Sequence, residues 1–313
     1  MKKVLKIIGI TIGVLLFFIL GFTGFINFSD SPDYSSIEIP NLTVELTPEK
    51  IERGEKIVHS VCWNCHADNN ILEGKYFNDL DAESTFGVSY ASNLTQHETA
   101  GIGNYSDGEM YRLLRTGVSK NGQLNSVIMP SLVKCSDEDI HSIIAYLRSD
   151  KKAVQASGKI HPVHQKSFLE KMLRRFVFKP YEYQKSYPKN PPLEDSIAYG
   201  KYIVDSEAFC FACHSEDIET INLLNPEATP NYLGGGYTFL TKEYEILVPS
   251  IKMNDESNVS KWTKAEFINA VKNGIRPDES TYLFPMHPFA HLSEEEVAAV
   301  YYYLKSIKGT GNK

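Results

Sequence analysis

The feature that most limits what this chain can become is that one pattern is written in it twice. Cys62-Trp63-Asn64-Cys65-His66 and Cys210-Phe211-Ala212-Cys213-His214 share the string Cys-x-x-Cys-His. Downstream, a shift of 157 positions lays Tyr105-Ser106-x-x-Glu109 over Trp262-Thr263-x-x-Glu266, Gly117 over Gly274 and Met129 over Met286. The same shift lays Ser136-Asp137-Glu138-Asp139 over Ser293-Glu294-Glu295-Glu296 and Tyr146-Leu147 over Tyr303-Leu304, with no gap. At the cysteines the offset is 148, so the second copy carries nine further residues after them. A unit of about 105 to 120 residues used twice is the inference, and 313 residues accommodate two such domains.

Each unit reads as helical. Thr47-Pro48-Glu49 supplies an N-cap, a first-turn proline and an early acid, opening a helix towards Cys62. The second copy opens less distinctly, near Leu193-Glu194-Asp195. Ser106-x-x-Glu109 and Thr263-x-x-Glu266 have capping-box spacing ahead of apolar positions. Ser136 and Ser293 open the last helix of each copy, with Ile140, Ile143, Ile144 and Leu147, or Val297, Val300 and Leu304, on one face. No long alternating strand pattern occurs, although Gly234 to Leu240 suits a short hairpin arm. The expected fold class is therefore all-α.

The N-terminus adds a different element. Lys2, Lys3 and Lys6 precede a stretch from Ile7 to Asn27 without a charged side chain, and about 20 apolar residues suffice to cross a hydrocarbon core as a helix. Lysines on the leading side place the rest of the chain across the membrane. A cleaved signal peptide is the competing reading, but its apolar region is shorter, roughly 7–15 residues, and ends in a small-x-small site. The expected organisation is an anchor over 1–30, a first domain over 45–150, a linker over 151–190 and a second domain over 191–309. The linker is basic, with Lys166, Lys171, Arg174, Arg175 and Lys179 among its charges, and Phe168 to Val177 suits an amphipathic helix. Such a helix is expected to pack between the two domains, with a membrane-surface or partner-docking role as the alternative. The overall charge of −7, from 32 basic and 39 acidic residues, argues against nucleic acid as a partner.

The two strings carry the chemistry. Cys-x-x-Cys-His is the attachment pattern of c-type haem. Two thiols three positions apart on a helical turn form thioethers with the vinyl groups on one edge of the macrocycle, and the next residue, histidine, sits beneath the iron. Cys62, Cys65, Cys210 and Cys213 are thus the expected attachment points of two haem c groups, with His66 and His214 as axial ligands. A structural zinc site ordinarily needs four protein ligands, and a thioredoxin-type redox pair needs a βαβ context that is missing. Met129 and Met286 are the methionines that superpose, each seven residues before the serine opening the last helix. They are the expected sixth ligands, although His287 and His291 offer imidazoles near the second site. The odd cysteine, Cys135, aligns with Leu292 and reads as a buried thiol, with a regulatory thiol or intermolecular disulfide as alternatives. His59, His97, His141, His161 and His164 have no counterparts and read as solvent-facing or packing residues.

Each half resembles a class I cytochrome c domain, in which the first and last helices cross closely through a small residue and an aromatic; Gly54 with Tyr146 and Gly200 with Tyr303 suit that crossing. Ala91-Ser92-Asn93-Leu94-Thr95, Gly101-Ile102-Gly103, Asp107-Gly108-Glu109 and Met129-Pro130 resemble the cytochrome c subunits of membrane-bound alcohol, sugar and gluconate dehydrogenases. Those subunits typically carry three haems, and this chain has two strings. A haem iron with both axial positions taken by protein passes single electrons rather than binding substrate. The expected role is a membrane-anchored dihaem cytochrome in the periplasm, at the cytoplasmic membrane. It would take electrons from a dehydrogenase or the quinol pool and pass them to another cytochrome or a terminal oxidase. The rival is a dihaem cytochrome c peroxidase, which needs one iron that opens to peroxide and acid–base residues beside it.

Overall fold

The computed structural model describes residues 2–76, 87–126, 128–254 and 257–307. Helix α1 (Lys2–Phe28) is, among the described residues, the one helix long and apolar enough to cross a membrane. Helix α2 (Pro48–Val61) begins where Thr47 Oγ1 accepts the Lys50 amide and Pro48 occupies the first turn, where a missing N–H costs nothing. It runs into the single turn α3 (Trp63–His66), which carries the first string. Helix α4 (Asp107–Thr116) has the full capping box of Ser106 and Glu109 and stops at Gly117, whose φ of 78° suits a residue without Cβ. Helix α5 (Asp137–Leu147) is capped by Ser136.

The crossing of α2 and α5 depends on Gly54. A Cβ there would sit 1.9 Å from the Ser142 carbonyl oxygen and 2.8 Å from Tyr146 Cβ. With no side chain in the way the backbones touch, and Ile57, Val58, Ile140, Ile143, Ile144 and Tyr146 close around them, fully buried.

After the joining helix α6 (Phe168–Phe176), the second half is built from α7 (Ser196–Tyr202), the turn α8 (Cys210–Cys213), α9 (Lys264–Asn273) and α10 (Glu294–Ser306). Gly200 repeats the role of Gly54: its Cβ would lie 2.0 Å from the Ala299 carbonyl oxygen and 2.9 Å from Tyr303 Cβ. Finer contacts recur at the 157-residue offset. Leu132 N bonds to Leu114 O at 2.7 Å and Phe289 N to Val271 O at 2.9 Å. The bridge of Val118 with Leu124 has its counterpart in Ile275 with Thr281. One departure is local: Gly200 stands two residues further from its cysteine than Gly54 does. A π-helical turn over Ile203–Glu207, closed by Ala208 N to Ile203 O at 2.8 Å, takes up that extra length, as wide turns inside helices do.

Helices dominate as expected, but two short antiparallel ladders are added. Strand β1 (Gly87–Val88) pairs with β2 (Gln165–Lys166), and β3 (Thr238–Leu240) with β4 (Glu245–Leu247) as the hairpin arm.

The halves meet through their first and last helices, with counterparts exchanged. Lys56 binds Glu296 at 2.7 Å, while its counterpart Tyr202 donates to Asp139, the counterpart of Glu296, at 2.5 Å. Arg53 donates to Asp139 of its own half at 2.9 Å and, across the contact, to Glu207 and to its own counterpart Tyr199 at 2.9 Å. This is the reciprocity of a two-fold interface written into one chain. Burial alone would lower the Arg53 pKa, yet Glu207 and Asp139 hold it above the ordinary value. Buried ion pairs of this kind fix an orientation more reliably than they add stability. Cys135, fully buried as read from sequence, donates to the Ser206 carbonyl at 3.0 Å across the same contact.

Helix α6 departs from expectation. It does not sit between the halves but leans on the end of α1: Phe22 stacks on Phe176 at 6.3 Å and meets Phe168 edge-on at 6.5 Å. The contacts between the halves run through Arg53, Lys56, Cys135 and Asp139 on one side and Tyr199, Tyr202, Ser206, Glu207 and Glu296 on the other, whereas those of α6 run to α1 and to Leu124 and Asn125 of the first half.

Candidate functional site

In the first half one cavity is lined by Cys62, Cys65, His66, Ser92, Asn125 and Met129, among others. The turn α3 continues α2 and presents both thiols and the imidazole together. His66 is buried, and its Nδ1 donates to the Ser92 carbonyl oxygen at 2.7 Å. Since a carbonyl only accepts, that bond fixes the tautomer and leaves the Nε2 lone pair for a metal, the second-shell arrangement common to metal-binding histidines. The second half repeats it: His214 Nδ1 donates to the Pro249 carbonyl oxygen at 2.9 Å. Ser92 and Pro249 stand at the 157-residue offset, and the two bonds span 26 and 35 residues. The nine additional residues of the second copy therefore fall between His214 and Pro249, where the β3–β4 hairpin is found.

Burial holds the pKa of both imidazoles below the ordinary histidine value, opposed by their carbonyl bonds. Burial likewise pushes Cys62 and Cys210 up to about 12, each raised further by the second thiol of its string, and Cys213 up to about 11. Met129 receives a bond from Asn125 Nδ2 to its sulfur at 2.5 Å. Met286, in the loop before α10, packs half-buried against the core of its half. Of its neighbouring imidazoles, His287 lies on Phe289 at 4.5 Å, and His291 stacks on His59 of the first half at 3.6 Å. His59 in turn stacks on Trp63, inside the first string, at 3.8 Å.

Several of these residues escape a reading of sequence alone. The Ser92 and Pro249 carbonyls are backbone groups that leave no residue signature, although the 157-residue register extended upstream would have paired them. Asn125 has Tyr282 at its matching position, so the repeat conceals it. The His59–Trp63–His291 stack crosses between the halves, and no local pattern announces it.

The residues of the first half fit a haem c. Two thiols one turn from a histidine with a free Nε2, and a thioether in the same cavity wall, are the donors that group needs. In the second half Cys210, Cys213 and the carbonyl-fixed His214 stand in the same relation on one turn.

Residues 197–308, which hold the second Cys-x-x-Cys-His turn, the crossing at Gly200 and the methionine loop before the last helix, match the cytochrome c family. The chain as a whole is similar to the cytochrome c subunit of the quinone alcohol dehydrogenase of Gluconobacter oxydans (strain 621H), 26% identical over 276 residues. It is also similar to the cytochrome c subunit of the gluconate 2-dehydrogenase of Pantoea cypripedii, 26% identical over 277 residues. The cytochrome subunit of the fructose dehydrogenase of Gluconobacter japonicus is likewise 26% identical over 277 residues. All three alignments cover 82% of this chain, and in turn 54%, 59% and 52% of the relatives. The chain thus spans about half the length of these cytochrome subunits.

Proposed function

We propose that the chain is a membrane-anchored dihaem cytochrome c that carries electrons at the periplasmic face of the cytoplasmic membrane. Two tandem cytochrome c domains, 45–150 and 191–309, follow an anchor over 1–30 and are joined by the segment 151–190. Each holds one haem c: Cys62 and Cys65 with ligands His66 and Met129, and Cys210 and Cys213 with His214 and Met286. The observation that carries this reading is the single cavity bringing together Cys62, Cys65, His66 and Met129. The matching Nδ1 bonds of His66 and His214 extend it to the second half.

A haem with histidine and methionine on its two faces stores and releases one electron at a comparatively high potential. The chain's residues do the rest. Ser92 and Pro249 hold the imidazoles in the ligating tautomer, and Asn125 orients the Met129 sulfur. The Trp63–His59–His291 stack runs from the first string to the loop that carries Met286. Homology to cytochrome c subunits of dehydrogenases supports a dehydrogenase partner; electrons would enter from that dehydrogenase or the quinol pool and leave to a further cytochrome or terminal oxidase. The peroxidase alternative gains no support from these relatives.

Ligand binding tests the reading. The reduced wild-type protein should bind carbon monoxide poorly and turn over peroxide negligibly, while Met129→Ala and Met286→Ala each open one carbon-monoxide-binding, high-spin site. Robust peroxide turnover by the half-reduced wild type would overturn it.

A further inference from the structure

Helix α6 is inside out for a helix on a water-soluble domain. One charged pair faces the protein: Glu170 is fully buried and Arg174 is 6% exposed. Its large apolar residues face away, with Phe168 40%, Leu169 38% and Phe176 54% exposed, and Val177 just beyond it 60% exposed. Burying carboxylate and guanidinium while exposing phenylalanine reverses what water favours, so the outward face calls for an apolar neighbour.

The position of α6 identifies that neighbour. If the hydrocarbon core takes about 20 residues of α1 from Ile7 onward, it ends near Ile26, which puts Phe22 and Phe25 at the boundary between acyl chains and headgroups. Those are the residues α6 touches: Phe22 contacts Phe168 and Phe176, and the Arg175 guanidinium lies 4.7 Å over Phe25. Lys171 binds the Asn27 side chain at 3.0 Å, and Arg175 the Asp30 carbonyl. Lys171 and Arg175 are therefore held at headgroup height, where anionic lipid attracts them, with Lys179 bonded to the Arg175 carbonyl one turn on.

We infer that α6 lies in the membrane interface, with Phe168, Leu169, Phe176 and Val177 inserted at the headgroup–acyl boundary and its lysines and arginine on anionic headgroups. This rests on the reading of α1 as a membrane anchor. The buried side of the helix reaches the first haem site. Arg174 donates to the carbonyls of Leu124 and, at 2.7 Å, of Asn125, whose side chain bonds to Met129. Glu170 binds Arg174 at 2.8 Å and His164 at 2.5 Å, and His164 contacts Ser89 in the cavity wall at 2.9 Å. The helix thus sets the Met129 side of the first site at a fixed height above the bilayer, whereas the anchor alone would leave the domain free to swing.

The test uses the full-length holoprotein in nanodiscs of mixed phosphatidylcholine and phosphatidylglycerol. Spin labels are placed on Leu169→Cys, Phe176→Cys, Leu15→Cys and the exposed linker control Lys185→Cys, one per protein. Collision with oxygen against a water-soluble nickel chelate reports depth. Labels at 169 and 176 are expected roughly 5–10 Å into the interface, shallower in pure phosphatidylcholine, with the label at 185 in water. Labels at 169 and 176 as chelate-accessible as the label at 185, while 15 reports the bilayer interior, overturn the inference and leave the anchor standing. A water-exposed label at 15 removes the anchor and the inference together.

Discussion

Gly54→Ala adds one methyl group, and the structure specifies what it meets. The new Cβ would lie 1.9 Å from the Ser142 carbonyl oxygen and 2.5 Å from its carbon, both backbone atoms of α5 that cannot rotate away. Ordinary contact needs about 3.5 Å, so α2 and α5 must part by roughly an ångström or more. A gap of roughly 0.5–1 Å forfeits a quarter to a half of each contact. Six fully buried side chains line this crossing, Ile57, Val58, Ile140, Ile143, Ile144 and Tyr146. Overpacking of a core costs about 1–3 kcal/mol in general and more where backbone is struck. Alanine returns about 1 kcal/mol through helix propensity. The expected net loss is about 2 kcal/mol, a fall in Tm of about 4–8 °C at two to four degrees per kcal/mol. Denaturant titration of the holoprotein, followed by far-ultraviolet dichroism and the haem band together, measures it. Gly158→Ala is the control: its Cβ would meet the His97 ring at 3.5 Å, ordinary contact, and its effect should stay within about 0.5 kcal/mol. A Gly54→Ala protein as stable as wild type would refute the close crossing.

Two further outcomes follow from the contact between the halves. Glu207 is fully buried, and burial raises its pKa to about 7 despite Arg53, with Asp139 and Glu296 adding to the rise. Between the unfolded value near 4.5 and about 7 the folded state therefore holds the extra proton, so this residue's contribution is present below 4.5 and lost as pH rises through 7. Glu207→Gln should flatten that decline in a series of melts from pH 4 to 8, and an unchanged slope would contradict the assignment. His59 has the opposite sign. Burial, then the neighbouring His291, lowers it to about 4, so its contribution is present above 6.5 and lost as pH falls towards 4. His59→Ala should also slow electron exchange between the two haems after flash reduction of one, and an unchanged rate would show that the stack is not on the route.

Much of this arrangement is legible in the sequence. Local chemistry announces itself locally: Thr47, Ser106, Ser136, Thr263 and Ser293 cap helices because their side chains bond amides three residues on. The resemblance to class I cytochrome c domains pairs Gly54 with Tyr146 and Gly200 with Tyr303, and the crossings use them so. What sequence hides is tertiary. The basic, aromatic composition of Phe168 to Val177 fits a helix between domains as well as one on a membrane. The inward turn of Glu170 and Arg174 and the contacts of Phe168 and Phe176 with Phe22 are what distinguish the two. The π turn at Ile203–Glu207 appears in sequence merely as two surplus residues. The exchange of counterparts around Arg53 requires knowing that the halves face each other through α2, α5, α7 and α10.

The claim on which the rest depends is that both halves bind haem covalently through their own thiols. Intact mass after acid–acetone extraction measures this directly, on the wild type and on Cys62→Ala/Cys65→Ala and Cys210→Ala/Cys213→Ala variants. The wild type should retain two haem increments and each double variant one, with an alkaline pyridine spectrum of the bis-thioether type. A wild type carrying a single increment, or one whose haem is extracted by the acid solvent, would contradict it.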